Sequence, residues 1–290
     1  MPNPSADAFL DCIMKRSKYD TLIHMGTVFL MTIVAPIVIT VYATNGSGMD
    51  EDKVIALIGT QMLENLIFNF IIFSIILALH KHHMRDIMWM DALIGYASSY
   101  GKDVSGMRAV RQRSTDDRLP TVVTAFRVYI VILTAVTVIQ GVMVSVRGMD
   151  IDTCRSLVMT YSLIMLILLC ISTAYQFKKL RKYNSLQFEF TRLFSKSMSC
   201  ELGSIPSMTN RIWTKHVWPH VFLMVITAGF YAMPFSLFVI HSMNAHITSQ
   251  HRYEGKLLRL MMEKEGATGI TRTEQEDNDS TWSKILNFFR

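Results

Sequence analysis

Five long apolar stretches, separated by gaps in which lysine and arginine alternate between many and few, constrain this chain more than any other feature. They cover 22–43, 54–79, 121–146, 156–175 and 217–240. Each reaches about the 20 residues that a helix needs to cross the hydrocarbon of a bilayer. Only helices and closed barrels satisfy the backbone inside lipid, and barrel strands would be shorter and would alternate in polarity. The sequence therefore predicts an all-α polytopic membrane helix bundle of about five transmembrane helices.

Composition agrees with this class. Half of the 290 residues are hydrophobic and 18% are charged, whereas soluble domains carry about 25% charge. The net charge of +6 comes from basic residues beside the apolar stretches, where anionic lipid headgroups are the expected partner rather than nucleic acid. The four cysteines have no metal or redox spacing, so we expect no disulfide framework, metal or cofactor.

The distribution of basic residues predicts the orientation of the first four stretches. Lysine and arginine near span ends remain in the cytoplasm. They are frequent in 1–21, 80–120 and 176–216, and they are few and offset by acidic residues in the two remaining gaps. We therefore expect a cytoplasmic N-terminus over 1–21, two hairpins of spans with short outer loops, and a location in the cell membrane.

The fifth stretch leaves the side of the C-terminal tail open. Simple alternation would place the tail outside, yet it is as rich in basic residues as the cytoplasmic gaps. We expect one continuous span over 217–240. The alternative is a break near Thr227 and Gly229 that makes a re-entrant hairpin and returns the tail to the cytoplasm, because irregular backbone is tolerated at membrane depth only inside protein or against water.

Spans two, four and five each continue into a polar, helix-compatible extension, and the three junctions align as a weak internal repeat. Aligned positions hold His82, Tyr183 and His246, and four residues later Asp86, Gln187 and Gln250. A real duplication would place all three extensions on one side of the membrane; the alternative is that membrane helices commonly end in similar residues.

Each extension also has apolar residues at helical spacing, which would pack on a neighbouring extension or carry a subunit contact. These residues are Ile87, Met90, Leu93 and Ile94; Leu186, Phe190, Leu193 and Phe194; and Tyr253, Leu257, Leu260 and Met261. The bundle is expected to end at residue 262. Beyond it, 263–279 has the composition of an acidic linker, and 280–290 has that of an amphipathic interfacial helix.

A polar stripe in the second stretch is the main candidate site. Gln61, Asn65 and Asn69 are spaced four residues apart and share one helical face, which Glu64 borders. Because a polar stripe is costly against lipid, it should face the bundle. It would line a pathway for ions, protons or solutes, or it would make hydrogen bonds between helices, worth about 0.6 kcal/mol each.

Arg127 and Gln140 in the third stretch complete the candidate site. Arg127 lies about 9 Å from the inner end of its span, from which it can reach the cytoplasmic headgroups. Its depth differs from that of Glu64 by about 13 Å, which disfavours a direct ion pair. Gln140 matches the depth of Gln61, so we predict that the second helix packs on the third with these two glutamines close together.

Other polar clusters favour no catalysis. His80, His82 and His83 lie beside basic residues that disfavour a metal cation, so they are predicted to form an interfacial cap. The sequence contains no phosphate loop, nucleophile elbow, zinc-protease or dinucleotide motif. We therefore expect no catalytic residues and a protein that is not an enzyme.

Residues 221–250 carry a short motif: an apolar run with Thr227, Gly229 and Tyr231, followed by Asn244, Ala245, His246 and Gln250. This segment resembles uncharacterised prokaryotic multi-pass membrane proteins, in which such a run leads into Asn-x-His. It covers about a tenth of the chain and departs from the pattern at Pro234 and Phe235. The resemblance implies a cytoplasmic Asn-x-His and carries no activity.

Two functions are compatible with these patterns. The first is a non-enzymatic membrane scaffold, sensor or assembly component, which would use its helical extensions to bind a second copy or a membrane partner. The second is a small channel or transporter that uses the polar stripe around Glu64.

Overall fold

The computed structural model describes residues 4–34, 37–38, 41, 51–115, 119–145, 151–208, 216–227 and 230–265, and every regular element within them is helical. This confirms the predicted all-α class. The helices are α1 (Pro4–Met14), α2 (Arg16–Tyr19), α3 (Met25–Phe29, followed by a π-helical turn Leu30–Val34), α4 (Glu51–Ser99), α5 (Ser105–Thr115), α6 (Leu119–Ser145), α7 (Ile151–Leu202), α8 (Trp218–Ile226) and α9 (Ala232–Lys264). The predicted linker and interfacial helix lie in 263–290, almost all of it outside the described residues.

The two longest helices, α4 and α7, end at glycines in the left-handed backbone conformation. Gly101 has φ 67° and Gly203 has φ 69°, values that cost glycine nothing because it has no Cβ. After α4, the Gly101 amide donates to the Ser98 carbonyl at 2.9 Å, and the Lys102 amide donates to Ala97 at 3.2 Å. These two bonds are the Schellman pattern that satisfies carbonyls at a helix end.

Three of the helices, α4, α7 and α9, run parallel and form a bundle in the register of the internal repeat. Their aligned residues recur every three or four positions, the spacing that keeps side chains on one helical face. All of the aligned side chains are buried, with at most 3% exposed. The layers are Leu79, Leu180 and Met243; His82, Tyr183 and His246; Asp86, Gln187 and Gln250; Trp89, Phe190 and Tyr253; Leu93, Phe194 and Leu257; and Ala97, Met198 and Met261.

Contacts between rings fix this register directly. The Trp89 ring lies 5.4 Å from the Phe190 ring and 6.1 Å from the Tyr253 ring, centroid to centroid. Two layers away, the rings of His82 and His246 meet edge to face at 5.4 Å. The apolar faces of the three extensions therefore pack on one another, which was one of the two alternatives for them.

Shorter helices cover the bundle. Phe9 and Cys12 of α1 enter the apolar core between α4 and α9, and Met107 and Val110 of α5 enter it beside α7. Gly95 allows the close approach of α1, because a Cβ there would lie 3.1 Å from the Ser5 hydroxyl oxygen. This end of the molecule thus has an ordinary buried core with a polar surface.

The apolar half of the long helices, at the other end of the molecule, has an exposed surface that is mainly apolar. Within the described residues, two helical segments are long and apolar enough to cross a membrane, Met62–Ser99 and Ser162–Leu202, and the shorter Val123–Val138 is also apolar. Only 35% and 38% of the apolar windows of the two long helices are buried. Large apolar side chains are exposed along these segments, along α3 and α8 and just before α9, including Phe70, Val131, Leu163, Ile171, Phe222 and Phe230.

The fifth apolar stretch is divided between two helices. α8 ends at Ile226, and α9 begins at Ala232. The His220 ring lies 4.5 Å from the Phe235 ring and its Nδ1 is 2.9 Å from the Tyr231 hydroxyl, so α8 folds back along the first turns of α9. The stretch 217–240 is therefore divided between two helices that pack side by side, where one continuous helix was expected. Insertion of this pair into a membrane as a re-entrant hairpin stays a prediction.

This reversal brings the end of α9 to the same end of the molecule as the N-terminal segment. The Asn244 side chain donates to the Ile23 carbonyl at 2.8 Å and accepts from the Ile23 amide at 3.2 Å. The Asn244–His246 segment therefore emerges beside residues 4–24 and beside the extensions of α4 and α7.

The bundle core predicts a contrast between two phenylalanines of α7. Phe190 is fully buried, whereas Phe188, two residues away on the other face, is 40% exposed. We expect Phe190→Ala to lower the free energy of unfolding by about 3–5 kcal/mol, because it removes a buried ring and leaves a cavity. Phe188→Ala should cost under about 1 kcal/mol. Chemical denaturation in one detergent measures both, and equal losses would contradict the assigned core.

Candidate functional site

A polar layer crosses the three-helix bundle between its two apolar regions. Gln250 Nε2 donates to Asp86 Oδ1 at 2.8 Å, and Gln187 Nε2 donates to Gln250 Oε1 at 3.1 Å. Gln187 Nε2 also donates to Asp86 Oδ2. In parallel helical bundles, such buried polar residues fix the register at some cost in stability. The layer contains one residue from each long helix, at the position where the internal repeat aligns them.

An arginine beside this layer pairs with two carboxylates from different parts of the chain. Arg85 is fully buried; its Nη1 donates to Glu254 Oε2 at 2.9 Å, and its Nε lies 2.9 Å from Asp20 Oδ2. Arg16 donates to the same Glu254 oxygen from Nη2 at 2.8 Å. One guanidinium therefore joins α4, α9 and the segment that follows α2.

Asp20 is a second carboxylate at which contacts from several helices converge. Besides its contact with Arg85, Asp20 has its Oδ1 2.8 Å from His82 Nδ1 and its Oδ2 2.5 Å from His251 Nε2. His82 is buried and His251 is 28% exposed, so the two histidines reach Asp20 from the interior and from the surface. The Asp20 carboxylate is thus surrounded by two histidines and one arginine from α4 and α9.

Electrostatics keep most of this network charged despite burial. Burial opposes ionisation of Asp20, but hydrogen bonds from His251 and His82 lower its pKa below the ordinary value. Burial also opposes ionisation of Glu254, and the charges of Arg85 and Arg16 lower its pKa. The pKa of Arg85 is raised, since Glu254 and Asp20 outweigh the effect of burial.

The pKa values of His82, Asp86 and His246, in and beside the polar layer, are also shifted by their surroundings. Burial lowers the pKa of His82, but Asp86 and the hydrogen bond to Asp20 outweigh it, so the pKa is raised. Burial raises the pKa of Asp86 against the effect of His82 and Arg85. Burial and the charge of His82 lower the pKa of His246 to about 3, so this ring is neutral at pH 7.

Several buried polar atoms of the site have no hydrogen-bond partner among the described residues. They include Nε2 of His82, Nη2 of Arg85, Oε1 of Gln187 and both ring nitrogens of His246. Such atoms are unusual in folded proteins, and each one lowers stability. The network is thus a costly arrangement whose groups differ in proton affinity.

The chemistry open to this arrangement is proton binding and electrostatic attachment. No group of three or more histidine, cysteine, aspartate or glutamate side chains is placed to hold a metal ion within the described residues. The buried carboxylates are occupied by arginine, glutamine and histidine donors. The arrangement thus holds distant segments of the chain together through groups that can bind protons.

The sequence-predicted site residues lie elsewhere, in the apolar half of α4 and in α6. Asn69 accepts a hydrogen bond from the Tyr129 hydroxyl at 3.0 Å, so the second and third stretches do pack together. Glu64 is half-buried. The side chains of Gln61, Asn65 and Gln140 lie outside the described residues, and with them the predicted glutamine pair.

Arg127 is exposed on α6 and lies near the inner end of the second stretch. The pKa of His80 is lowered by burial and by the charge of Arg127, so Arg127 lies on the side of α6 that is near His80. Along α4, His80 is about 24 Å from Glu64 at 1.5 Å per residue. The structure therefore separates Arg127 from Glu64, as their depths in the sequence predicted.

The predicted histidine cap is wrong for two of its three members. His82 is fully buried on Asp20, and His83 is 3% exposed. The His83 ring stacks on Tyr183 at 4.0 Å, and its Nε2 lies 3.1 Å from the Ser114 carbonyl. Basic neighbours suggested an interfacial position, but a buried carboxylate from a distant segment compensates the polarity of His82.

Sequence analysis missed most of the network. The alignment brought Asp86, Gln187 and Gln250 to equivalent positions without indicating that they touch. Nothing in the sequence pairs Arg16 with Glu254, which lies 238 positions away. The spacing of His82 and Asp86, four residues apart in an α-helix, was the one local signal available.

Comparison of this chain with protein-family models, curated proteins and solved structures finds no match. Inference about function therefore depends on the geometry described above.

The network predicts a contrast between two arginines. We expect Arg85→Met to lower the free energy of unfolding by about 3–5 kcal/mol, because Asp20 and Glu254 would stay buried without their guanidinium. The control is Arg111→Met: Arg111 pairs with Asp91 at 2.7 Å, with 30% and 49% of the two side chains exposed. Such an exposed pair is worth about 0–1 kcal/mol. Denaturant titration of both variants measures the contrast, and an Arg85→Met variant as stable as Arg111→Met would contradict the assigned role.

Proposed function

We propose that this chain is a multi-pass membrane protein of the cell membrane with four spans and one re-entrant helical hairpin. In this proposal the extensions of α4, α7 and α9 form a cytoplasmic bundle, with residues 4–24 packed against it. The protein acts as a non-enzymatic scaffold, sensor or assembly component, in which the bundle is rigidly joined to the membrane helices.

The distribution of apolar surface carries the proposal. Among the described residues, exposed large apolar side chains concentrate in the predicted spans, whereas most of those in the bundle are buried. A water-soluble protein rarely exposes a contiguous apolar surface of this extent, and lipid is the solvent that stabilises it. Basic side chains such as Lys178, Arg181 and Lys182 are exposed just beyond the apolar part of α7, where anionic headgroups would lie.

Helix lengths support the hairpin. At 1.5 Å per residue, α8 is about 13 Å long, and the apolar start of α9, 232–243, adds about 18 Å in the opposite direction. Neither reaches the roughly 30 Å of bilayer hydrocarbon. A hairpin that enters and leaves from the cytoplasmic side keeps the basic end of α9 in the cytoplasm, in accord with the distribution of lysine and arginine.

Topology can be tested with cysteines and a membrane-impermeant maleimide on intact cells. Native Cys200 is exposed on the bundle, Lys256→Cys adds a site on the exposed face of α9, and Ser47→Cys adds one in the first outer gap. The experiment uses a Cys154→Ser background, because Cys154 lies in the second outer gap and would itself react. Of the three sites, we expect labelling of Ser47→Cys only, and labelling of all three after permeabilisation. Labelling of Lys256→Cys in intact cells would contradict the hairpin, and labelling of Cys200 would contradict the orientation.

A partner or second copy would bind the polar outer face of the bundle. The apolar faces of the extensions are already buried against one another, so they are not free for assembly. We expect lysine-reactive crosslinking in native membranes to capture an oligomer or a membrane partner. A protein that remains a dispersed monomer across a range of crosslinker lengths would contradict an assembly role.

A second candidate function is a small channel or transporter. Its support is Glu64, a half-buried carboxylate in the apolar half of α4 that makes no hydrogen bond or ion pair with another described residue. Unpaired ionisable residues within spans commonly mark ion or proton pathways. Flux in proteoliposomes that is lost in Glu64→Gln and retained in Arg111→Met would favour this candidate; absence of flux for protons, common ions and small solutes would exclude it.

A further inference from the structure

Residues 4–24, here called the N-terminal strap, are held on the bundle by a few polar contacts. Asp20 binds His82, Arg85 and His251, and the Ile23 backbone binds the side chain of Asn244. Apolar attachment comes from Phe9 and Cys12 of α1, with Ala6 and Ile13 beside them, and Arg16 adds an ion pair with Glu254. Asp20 makes three of the polar contacts of the strap, so the ionic state of its partners contributes to keeping the strap closed.

A chain of titratable groups connects these contacts to solvent. His251, which is 28% exposed, lies 2.5 Å from Asp20; Asp20 lies 2.8 Å from His82; and His82 Nε2 lies 3.6 Å from Asp86 Oδ2. A proton can therefore reach His82 through neighbouring groups, although the ring itself is buried. The buried pair can equilibrate with bulk pH while the bundle stays folded.

The charges around His82 come from every element packed on it. The N-terminal strap contributes Arg16, Asp20 and the thiol of Cys12; α4 contributes Arg85 and Asp86; α7 contributes the neutral Gln187 and Tyr183; and α9 contributes His246, Gln250, His251 and Glu254. Leaving aside the partly exposed His251, the two arginines and protonated His82 balance the three carboxylates. Loss of the His82 proton leaves one buried negative charge uncompensated, and such a charge is costly.

We propose that the contacts among Asp20, His82 and Asp86 form a pH-responsive latch that releases the N-terminal strap from the bundle as pH rises. The protein would thereby report the pH of the compartment that contains the bundle. All of these contacts lie within the described helices and the segment after α2, so this inference does not depend on the membrane topology proposed above.

The direction follows from the sign of the pKa shifts. The pKa of His82 in the closed form is raised above its ordinary value of 6.5, chiefly by Asp86 and Asp20 against the effect of burial. Its stabilisation is therefore full below pH 6.5 and is lost as pH rises through the raised value. Burial also raises the pKa of Asp86, so ionisation of this carboxyl lowers the stability of the closed form in the same direction, in a window that begins at its ordinary value of 3.8. The ionised form of Asp86 is the one that raises the pKa of His82. Asp20, whose pKa is lowered, stays ionised throughout this window.

Two native cysteines report release of the strap. Cys12 of α1 is 5% exposed in the core, and Cys200 at the end of α7 is exposed. Brief pulses of N-ethylmaleimide on the full chain from about pH 6 to about pH 9, followed by mass spectrometry, give the labelling ratio of Cys12 to Cys200. The ratio cancels the general rise of thiol reactivity with pH. We expect it to rise by up to about tenfold per pH unit between 6.5 and the raised pKa of His82.

Two variants separate the latch from general loosening. His82→Asn keeps a donor toward Asp20 and cannot titrate, so its ratio should rise much less with pH than that of the wild-type protein. His83→Asn is the matched control, since His83 is the next residue, is equally buried and contacts Tyr183 and Ser114 instead of Asp20. It should keep the wild-type pH profile, even if its ratio is offset at every pH. A flat ratio in the wild-type protein would overturn the proposal whether or not the variants fold, as would a rise in His82→Asn equal to that in His83→Asn.

Discussion

The buried guanidinium of Arg85 is the contact on which the arrangement of the bundle depends. It lies on α4 and pairs with Asp20 and with Glu254, which is 169 positions away along the chain. A charge removed from water is tolerated only when it is paired and hydrogen-bonded. The N-terminal strap, α4 and α9 must therefore meet at this point. Misplacing any of them would leave a buried charge without its partner.

The polar layer of Asp86, Gln187 and Gln250 then sets how the long helices align. Apolar layers above and below would tolerate a shift by one helical turn, because leucine, phenylalanine and methionine pack in many combinations. A carboxylate that needs two amide donors does not tolerate it. The layer lies next to the apolar half of the helices, at the level where the exposed side chains change from apolar to polar. Unbroken α4, α7 and α9 thus connect the apolar half rigidly to a site whose protonation can change.

Much of the architecture could be predicted from the sequence, because it follows from local periodicity. The apolar stretches, the helical extensions and the alignment of Asp86 with Gln187 and Gln250 depend on residues a few positions apart. The errors arise where distant segments meet. His82 was expected at a membrane surface, but it is buried by Asp20, 62 positions earlier in the chain. The single span over 217–240 failed because hydropathy measures how apolar a segment is and carries no information about where the chain reverses.

Helical structure, and the continuation of apolar segments into polar helices with one buried face, can be read from residue order alone, because burial and helical spacing act over one or two turns. Three features require the folded chain: the set of polar residues that form the site, the packing of α8 back on α9, and the position of Asn244 beside the N-terminal strap. The two groups of features differ in the range of the interactions behind them. Hydrophobic periodicity is local, whereas a buried ion pair depends on the position of a partner that can be anywhere in the chain.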